Sequence, residues 1–288
     1  MGVPKSVRAK FRVSPEPDLS AVDPRSRPVG PKDKTAAAAD MVDLAARLEG
    51  LQDALYAEAT VAPEDGGGTR SVLLVLQGMD TSGKGGVIRQ VAGLVNPQGL
   101  HIASFRKPTA DERAHHFLWR IRKQTPQPGQ IAVFDRSHYE DVLIARVDSL
   151  VPEDVWRGRY DEINAFEAEL AAQDVTVLKV MLHISPEAQQ ERLLARLDDP
   201  LKHWKYNAAD LYARSRWAAY QEAYTDALRF CDTDTAPWYV VASDRKWYRN
   251  WAVAALLAET LAEMEPQFPE TDIDVDAERA RVLASVVA

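Results

Sequence analysis

A β-branched and leucine-rich run, Ser71 to Leu76, leads through Gln77 into Gly78-Met79-Asp80-Thr81-Ser82-Gly83-Lys84-Gly85-Gly86 and then a helix-forming stretch from Val87. Strand, G-x-x-x-x-G-K, helix is the pattern of a phosphate-binding loop. The glycines let successive backbone N–H groups point into one concavity, and the helix start adds a positive dipole end. Lys84 supplies a mobile point charge for a phosphate. A glycine-rich turn before a helix would explain the glycines but not a lysine at this spacing.

Two acids give the loop a chemistry. Gly85 stands where such loops usually carry the Ser or Thr whose hydroxyl holds magnesium. Phosphoryl transfer still requires a divalent ion over the bridging oxygens. Asp80, inside the loop, would repel phosphates unless a cation lay between them, so it is the expected replacement. A second apolar run, Ile131 to Phe134, closes on Asp135, which in this kind of fold lies beside the loop and binds the same ion directly or through water. The polar cluster that follows, Arg136 to Asp141, is expected to face the site, because open α/β sheets bind ligands at the carboxyl ends of their strands.

The rest of the chain alternates. Val175–Ile184 and Trp238–Val241 read as further strands buried on both faces. Amphipathic stretches at 87–96, 111–123, 153–173, 186–197, 207–230 and 245–264 read as helices, preceded by one from Thr35 with Leu44, Leu48, Leu51 and Leu55 in a stripe. Pro63 and Gly66-Gly67-Gly68 end that first helix. Alternation of this kind predicts a three-layer α/β/α fold with a mainly parallel sheet. The boundaries expected are an extended, proline-rich and basic arm over 1–34, a phosphate-loop domain over 35–265, and an acidic peripheral tail over 266–288. The arm reads as a segment that buries little apolar surface, either a tail or a strap across a neighbouring subunit.

Basic residues gather around the loop: Arg89, Arg106, Lys107, Arg113, Arg120, Arg122, Lys123 and Arg136 precede Arg146. Arg192 and Arg196 fall one helical turn apart on a common face. Lys202 and Lys205 follow in a loop before Arg214 and Arg216. In a chain of formal net charge −8, such a local excess points to a polyanionic substrate, and 192–216 reads as a lid closing over phosphates.

Several segments in this order resemble the polyphosphate kinase type 2 family. They are Leu76–Gly85, Lys107-Pro108-Thr109, Phe117-Leu118-Trp119-Arg120, Phe134–Asp141 and Pro200–Lys205, within a match from about Leu51 to Arg249. Gly85 is typical of that family. The resemblance implies reversible transfer of a terminal phosphoryl group between inorganic polyphosphate and a nucleotide, with magnesium or manganese, in a kinase core with a helical lid assembled as dimers or tetramers. It implies that Asp80 orients acceptor phosphate and metal, that Lys84 is the loop lysine, and that Asp135 is the metal-binding acid. Arg136, Arg192 and Arg196 are the implied charge-neutralising arginines, and Lys202 and Lys205 line the polyphosphate path. Gly78, Met79, Thr81, Ser82, Gly83, Gly85 and Gly86 complete the loop. Lys107, Pro108, Thr109 and Glu140 are expected on the nucleotide, in a pattern closer to the members that use monophosphates or both mono- and diphosphates.

From the residues alone, an ATP-dependent nucleoside or nucleotide kinase and a non-catalytic nucleotide-binding regulatory protein remain open. Trp204, Trp247 and Tyr248 are candidates for stacking on a base, although tryptophans beside helices are more often core. The negative charge argues against specific nucleic-acid binding. No apolar run spans a bilayer, no secretory signal follows the basic start, and Cys231 is the one cysteine, so a cytoplasmic setting is expected.

Overall fold

The computed structural model describes residues 6–61 and 68–285. Pro63 and Gly66-Gly67, expected to end the first long helix, lie outside them, as do the first five residues of the arm.

The central strand is β1 (Ser71–Gln77), every residue of which is buried. Its side chains alternate between two cores: Val72, Leu74 and Leu76 point to one and Leu73 and Val75 to the other. A strand covered on both faces has no polar side, hence its continuous apolar run. β1 pairs in parallel with β3 (Ile131–Asp135) on one side and β4 (Val175–His183) on the other. β2 (Leu100–Ser104) extends the sheet beyond β3, and β5 (Trp238–Ala242) beyond β4, giving the order β2-β3-β1-β4-β5, all parallel. One core packs against the helices Lys34–Glu58, Lys84–Gln90 and Lys246–Met264, the other against Glu153–Ala172 and Trp217–Phe230. The three-layer α/β/α expectation describes this arrangement.

Four strands match the sequence reading and a fifth, β2, was not foreseen. It is a short edge strand in which only Ala103 is buried, with Ile102 exposed and His101 bonded to Gln124, so it lacks a doubly buried run. The first long helix begins at Lys34, where Asp33 accepts hydrogen bonds from the amides of Thr35 and Ala36. The stretch 87–96 is instead a helix from Lys84 to Gln90 followed by a 3-10 turn. The stretch 111–123 is two short turns, Ala110–Arg113 and Trp119–Arg122, and between them the chain swings so that Leu118 and Ile121 reach the core. The stretch 207–230 breaks at Arg216, which donates back to the Val147 carbonyl and Asp148, leaving helices Ala209–Ser215 and Trp217–Phe230.

The proline-rich arm does bury apolar surface, against the expectation. Ser6 caps a short helix, Val7–Phe11, that places Phe11 in the core edge-on to Tyr248. Arg8 donates to the Tyr239 hydroxyl and Arg12 to Asp232, while Arg12 bridges Tyr239 in antiparallel fashion and the Val13 amide donates to the Trp238 carbonyl. Two of the basic residues behind that expectation, Arg8 and Arg12, help fasten it. Residues of the tail form a helix, Val275–Ala284, with no buried side chain. Among the described residues no helix is long and apolar enough to cross a membrane.

Candidate active site

β1 ends at Gln77, and the chain turns sharply through Gly78 (φ 147°), Thr81 (φ 63°) and Gly83 (φ 114°) before the helix starting at Lys84. Positive φ at two glycines is inexpensive; at Thr81 it is strained, which is common where a loop is shaped for a ligand. The Ser82 amide donates to Met79, and those of Gly86 and Val87 to the Gly83 carbonyl. The Lys84 and Gly85 amides have no protein acceptor among the described residues, as befits a first helical turn. A Cβ on Gly85 would meet nothing within 4 Å, so this position opens onto free space.

Lys84 is buried, and its Nζ donates to the Gly78 carbonyl at 2.7 Å, straddling the loop. Burial lowers its pKa, helped by the nearby Arg136 and opposed by Asp80, Asp135 and Glu140. Asp135 ends β3 in register with Leu76, at the carboxyl edge of the sheet beside the loop. The next residue, Arg136, has φ 66° and reaches back so that its Nη2 donates to Asp80 Oδ1 at 2.8 Å. Glu140 Oε2 lies 3.9 Å from Arg136 Nη1. Burial raises the Glu140 carboxyl, with Arg136 and Lys84 opposing. Asp80, Lys84, Asp135, Arg136 and Glu140 therefore form one electrostatic cluster.

The two arginines of the Pro186–Leu197 helix are held differently. Arg192 donates to the carbonyls of Thr81 (2.8 Å) and Ser82 (3.1 Å), and to those of Ser243 and Asp244, so it grips the loop through its backbone. Arg196 donates to the Lys205 carbonyl and Asp210, tying the helix to the segment beyond it. Lys202 and Lys205 lie exposed in a 3-10 turn, Pro200–Lys205; Lys202 pairs with Asp199 and Lys205 packs over Trp204. Lys107, Pro108 and Thr109 follow β2, where the Phe105 amide donates to the Asp135 carbonyl, and Thr109 caps the next helical turn with Glu112. No hydrogen bond joins these three residues to the loop among the described residues.

Part of the basic excess is neutralised away from the loop. Arg122 pairs with Glu169, and Arg146 with Glu222 and Asp226. Tyr248 is buried with its hydroxyl on the Val29 carbonyl, whereas Trp204 is exposed. His138 is buried against Glu167, and Cys231 is buried at the end of the Trp217–Phe230 helix. Sequence reading did not single out two groups that touch the loop: Gln189, whose Nε2 donates to the Asp80 carbonyl at 3.0 Å, and Arg249, which donates to that of Ser82. Gln189 was detectable in principle, being one turn before Arg192 on the same helix. Arg249 carried no local signal.

Among the described residues no three carboxylate, imidazole or thiol groups converge into a metal cage. Asp80 and Asp135 instead present hard oxygen donors at the lip of the loop. Magnesium is commonly held by one or two carboxylates together with substrate phosphates. The residues present fit an ion shared with the substrate.

A parallel sheet layered by helices, with this loop and an adjacent strand-end acid, defines the phosphate-loop kinase class. Within it, the model of polyphosphate kinase 2 (PPK2) matches residues 32–269, and the chain belongs to that family. The AMP/ADP-polyphosphate phosphotransferase of Meiothermus ruber is 45% identical over 265 residues, covering 91% of this chain and 96% of that protein. The ADP-polyphosphate phosphotransferase of Rhodopseudomonas palustris is 40% identical over 237 residues, covering 78% of this chain and 79% of that one. The crystal structure of polyphosphate kinase 2 from Arthrobacter aurescens TC1 superposes with a TM-score of 0.93 at 44% identity, covering 99% of each chain.

Proposed function

We propose that this enzyme catalyses reversible, metal-dependent phosphoryl transfer between inorganic polyphosphate and AMP or ADP, with GMP and GDP as further acceptors. The observation that carries the proposal is the convergence of Lys84, Asp80, Asp135 and Arg136 on one loop. Membership of the PPK2 family and the activities named for the relatives support the same reaction.

One phosphoanhydride bond is exchanged for another, so the free-energy change is small and the reaction runs both ways. A nucleotide phosphate is already anionic near neutral pH and needs no strong base. Catalysis is then positioning and charge neutralisation. The loop amides and Lys84, exchanging the Gly78 carbonyl for a phosphoryl oxygen, hold the donor. Asp80 and Asp135 would hold magnesium or manganese, which neutralises bridging oxygens when bound. Arg136 turns toward the moving phosphoryl group, and Asp80 keeps its fork aligned. Arg192 fixes the loop from its carbonyl side, and the lid segment at 192–216 carries Lys202 and Lys205 as a path for the chain. Lys107 to Thr109 and Glu140 flank the acceptor. Assembly as a dimer or tetramer and a cytoplasmic setting belong to the same proposal.

The test is incubation with long-chain polyphosphate and AMP, ADP, GMP or GDP separately, with products resolved over time. Asp80→Asn and Lys84→Ala should each lower turnover by on the order of a thousandfold or more, with circular dichroism unchanged. Wild-type turnover in either purified variant would refute the assignment, and transfer from ATP alone would make the enzyme an ordinary nucleotide kinase.

A further inference from the structure

The loop has a second side, and the residue behind it is Arg249, in the first turn of the Lys246–Met264 helix. The residue is buried, at 3% exposure. A Cβ on Gly83 would lie 1.7 Å from Arg249 Nη1, and one on Gly86 would lie 2.7 Å from Nη2. Those two glycines are thus the groove in which the guanidinium rests. Its other partners are Asn250 Oδ1 and the Ser82 carbonyl, the latter at 3.1 Å. The same carbonyl accepts from Arg192, also at 3.1 Å, so two guanidinium groups meet on one oxygen.

Two like charges sharing one neutral acceptor inside a protein is an expensive arrangement. Arg249 has no carboxylate partner among the described residues. Asp244, the acid that most favours the charge on Arg192, is engaged by the amide and hydroxyl of Ser185. Lys246, close enough to feel both Arg192 and Arg249, adds to the positive field. Burial, reinforced by Arg192, pushes Arg249 down to about 9, so it still carries its proton at neutral pH. An unbalanced buried cation a few ångströms behind an anion-binding loop is stabilised when an anion occupies the front.

We propose that Arg249 is a positioning residue of the donor site. From behind the loop it seats Gly83 to Gly86 against the Ser82 carbonyl and supplies an uncancelled positive charge to the terminal phosphates of a polyphosphate or triphosphate in front. This deepens the phosphotransferase reading and rests on it for the identity of the donor, but not for the presence of an anion on the loop.

The test compares Arg249→Gln, which removes the charge, with Arg249→Lys, which keeps it. Two readouts are taken: KM for tripolyphosphate and for ADP, and the rise in Tm produced by tripolyphosphate alone at several ionic strengths. The expected result for Arg249→Gln is a KM for the donor raised about tenfold, with that for ADP within twofold and a smaller, less salt-sensitive Tm rise. Arg249→Lys recovers most of both losses. A merely structural arginine would lower the unliganded Tm and leave the donor KM and salt sensitivity as in the wild type. That result, or equal impairment of both variants, overturns the proposal. If the wild type proves to use ATP and not polyphosphate, the function proposed above fails, while the effect of Arg249 on the ATP KM still decides this inference.

Discussion

Arg136 follows the acid of β3 with its backbone in the left-handed region, a conformation that costs a non-glycine residue about 1–2 kcal/mol. The strain has a visible return: the side chain turns back across the sheet edge to Asp80 instead of continuing the strand direction. Stability and activity should therefore separate here. Arg136→Gly is expected to leave Tm within a few degrees of the wild type, since the relieved strain offsets the loss of a partly exposed ion pair. Its kcat should fall by on the order of a thousandfold, the effect expected of a charge-neutralising arginine. Thermal melts and initial rates on one preparation check both halves. A variant that melts much earlier would make Arg136 a structural residue.

Between β4 and the Glu153–Ala172 helix lies a buried charged group that the reaction does not use. Lys179 Nζ donates to Glu167 Oε2 at 2.5 Å, to the Tyr139 hydroxyl and to the Cys231 carbonyl, while Glu167 Oε1 receives Tyr139 and His138. It pins the turn carrying Glu140 onto the sheet, because His138 and Tyr139 belong to that turn. Burial alone would raise the Glu167 carboxyl; Lys179 and the His138 hydrogen bond outweigh it, and the net shift is downward from 4.5. A depressed folded value means the ionised carboxylate stabilises the fold above the ordinary carboxylate range, and this is lost as pH falls through the lowered value. Glu167→Gln leaves Lys179 buried without a counter-charge and should cost about 3–5 kcal/mol, or on the order of 10 °C in Tm, at neutral pH. The gap to the wild type should narrow in melts taken progressively below pH 4.5; a gap independent of pH would remove the carboxylate from the explanation.

This network also shows where sequence reading reaches its limit. The β1 run and the loop after it were legible because their signals are local: doubly buried strands are continuous apolar runs, and a phosphate loop is a fixed spacing. Asp135 and Arg136 were legible because position at a strand end implies proximity to the loop. Lys179 sits in an apolar run and reads as an interruption until Glu167, on another element, is brought beneath it. Arg249 is likewise invisible without the two glycines it fills. Long-range polar pairing has no period, and β2 was missed for a related reason, since an edge strand need not be apolar on both faces.

For the molecule as a whole, the arm changes what the sheet exposes. A chain beginning at residue 14 would lose Phe11 from the core and the Arg12–Asp232 ion pair, and should be less stable by about 3 kcal/mol or more. It should also lose the backbone partners that residues 12 and 13 give to Tyr239 and Trp238. Light scattering against concentration would detect the second effect separately from a melt, and a shortened chain that remained as monodisperse as the full one would rule it out. An open sheet has two unfinished sides, each able to recruit a stray strand. On β5 the opening residues hem that margin where they touch it, which leaves the β2 flank, with Ile102 facing outward, as the more open place for a foreign strand to be stitched on.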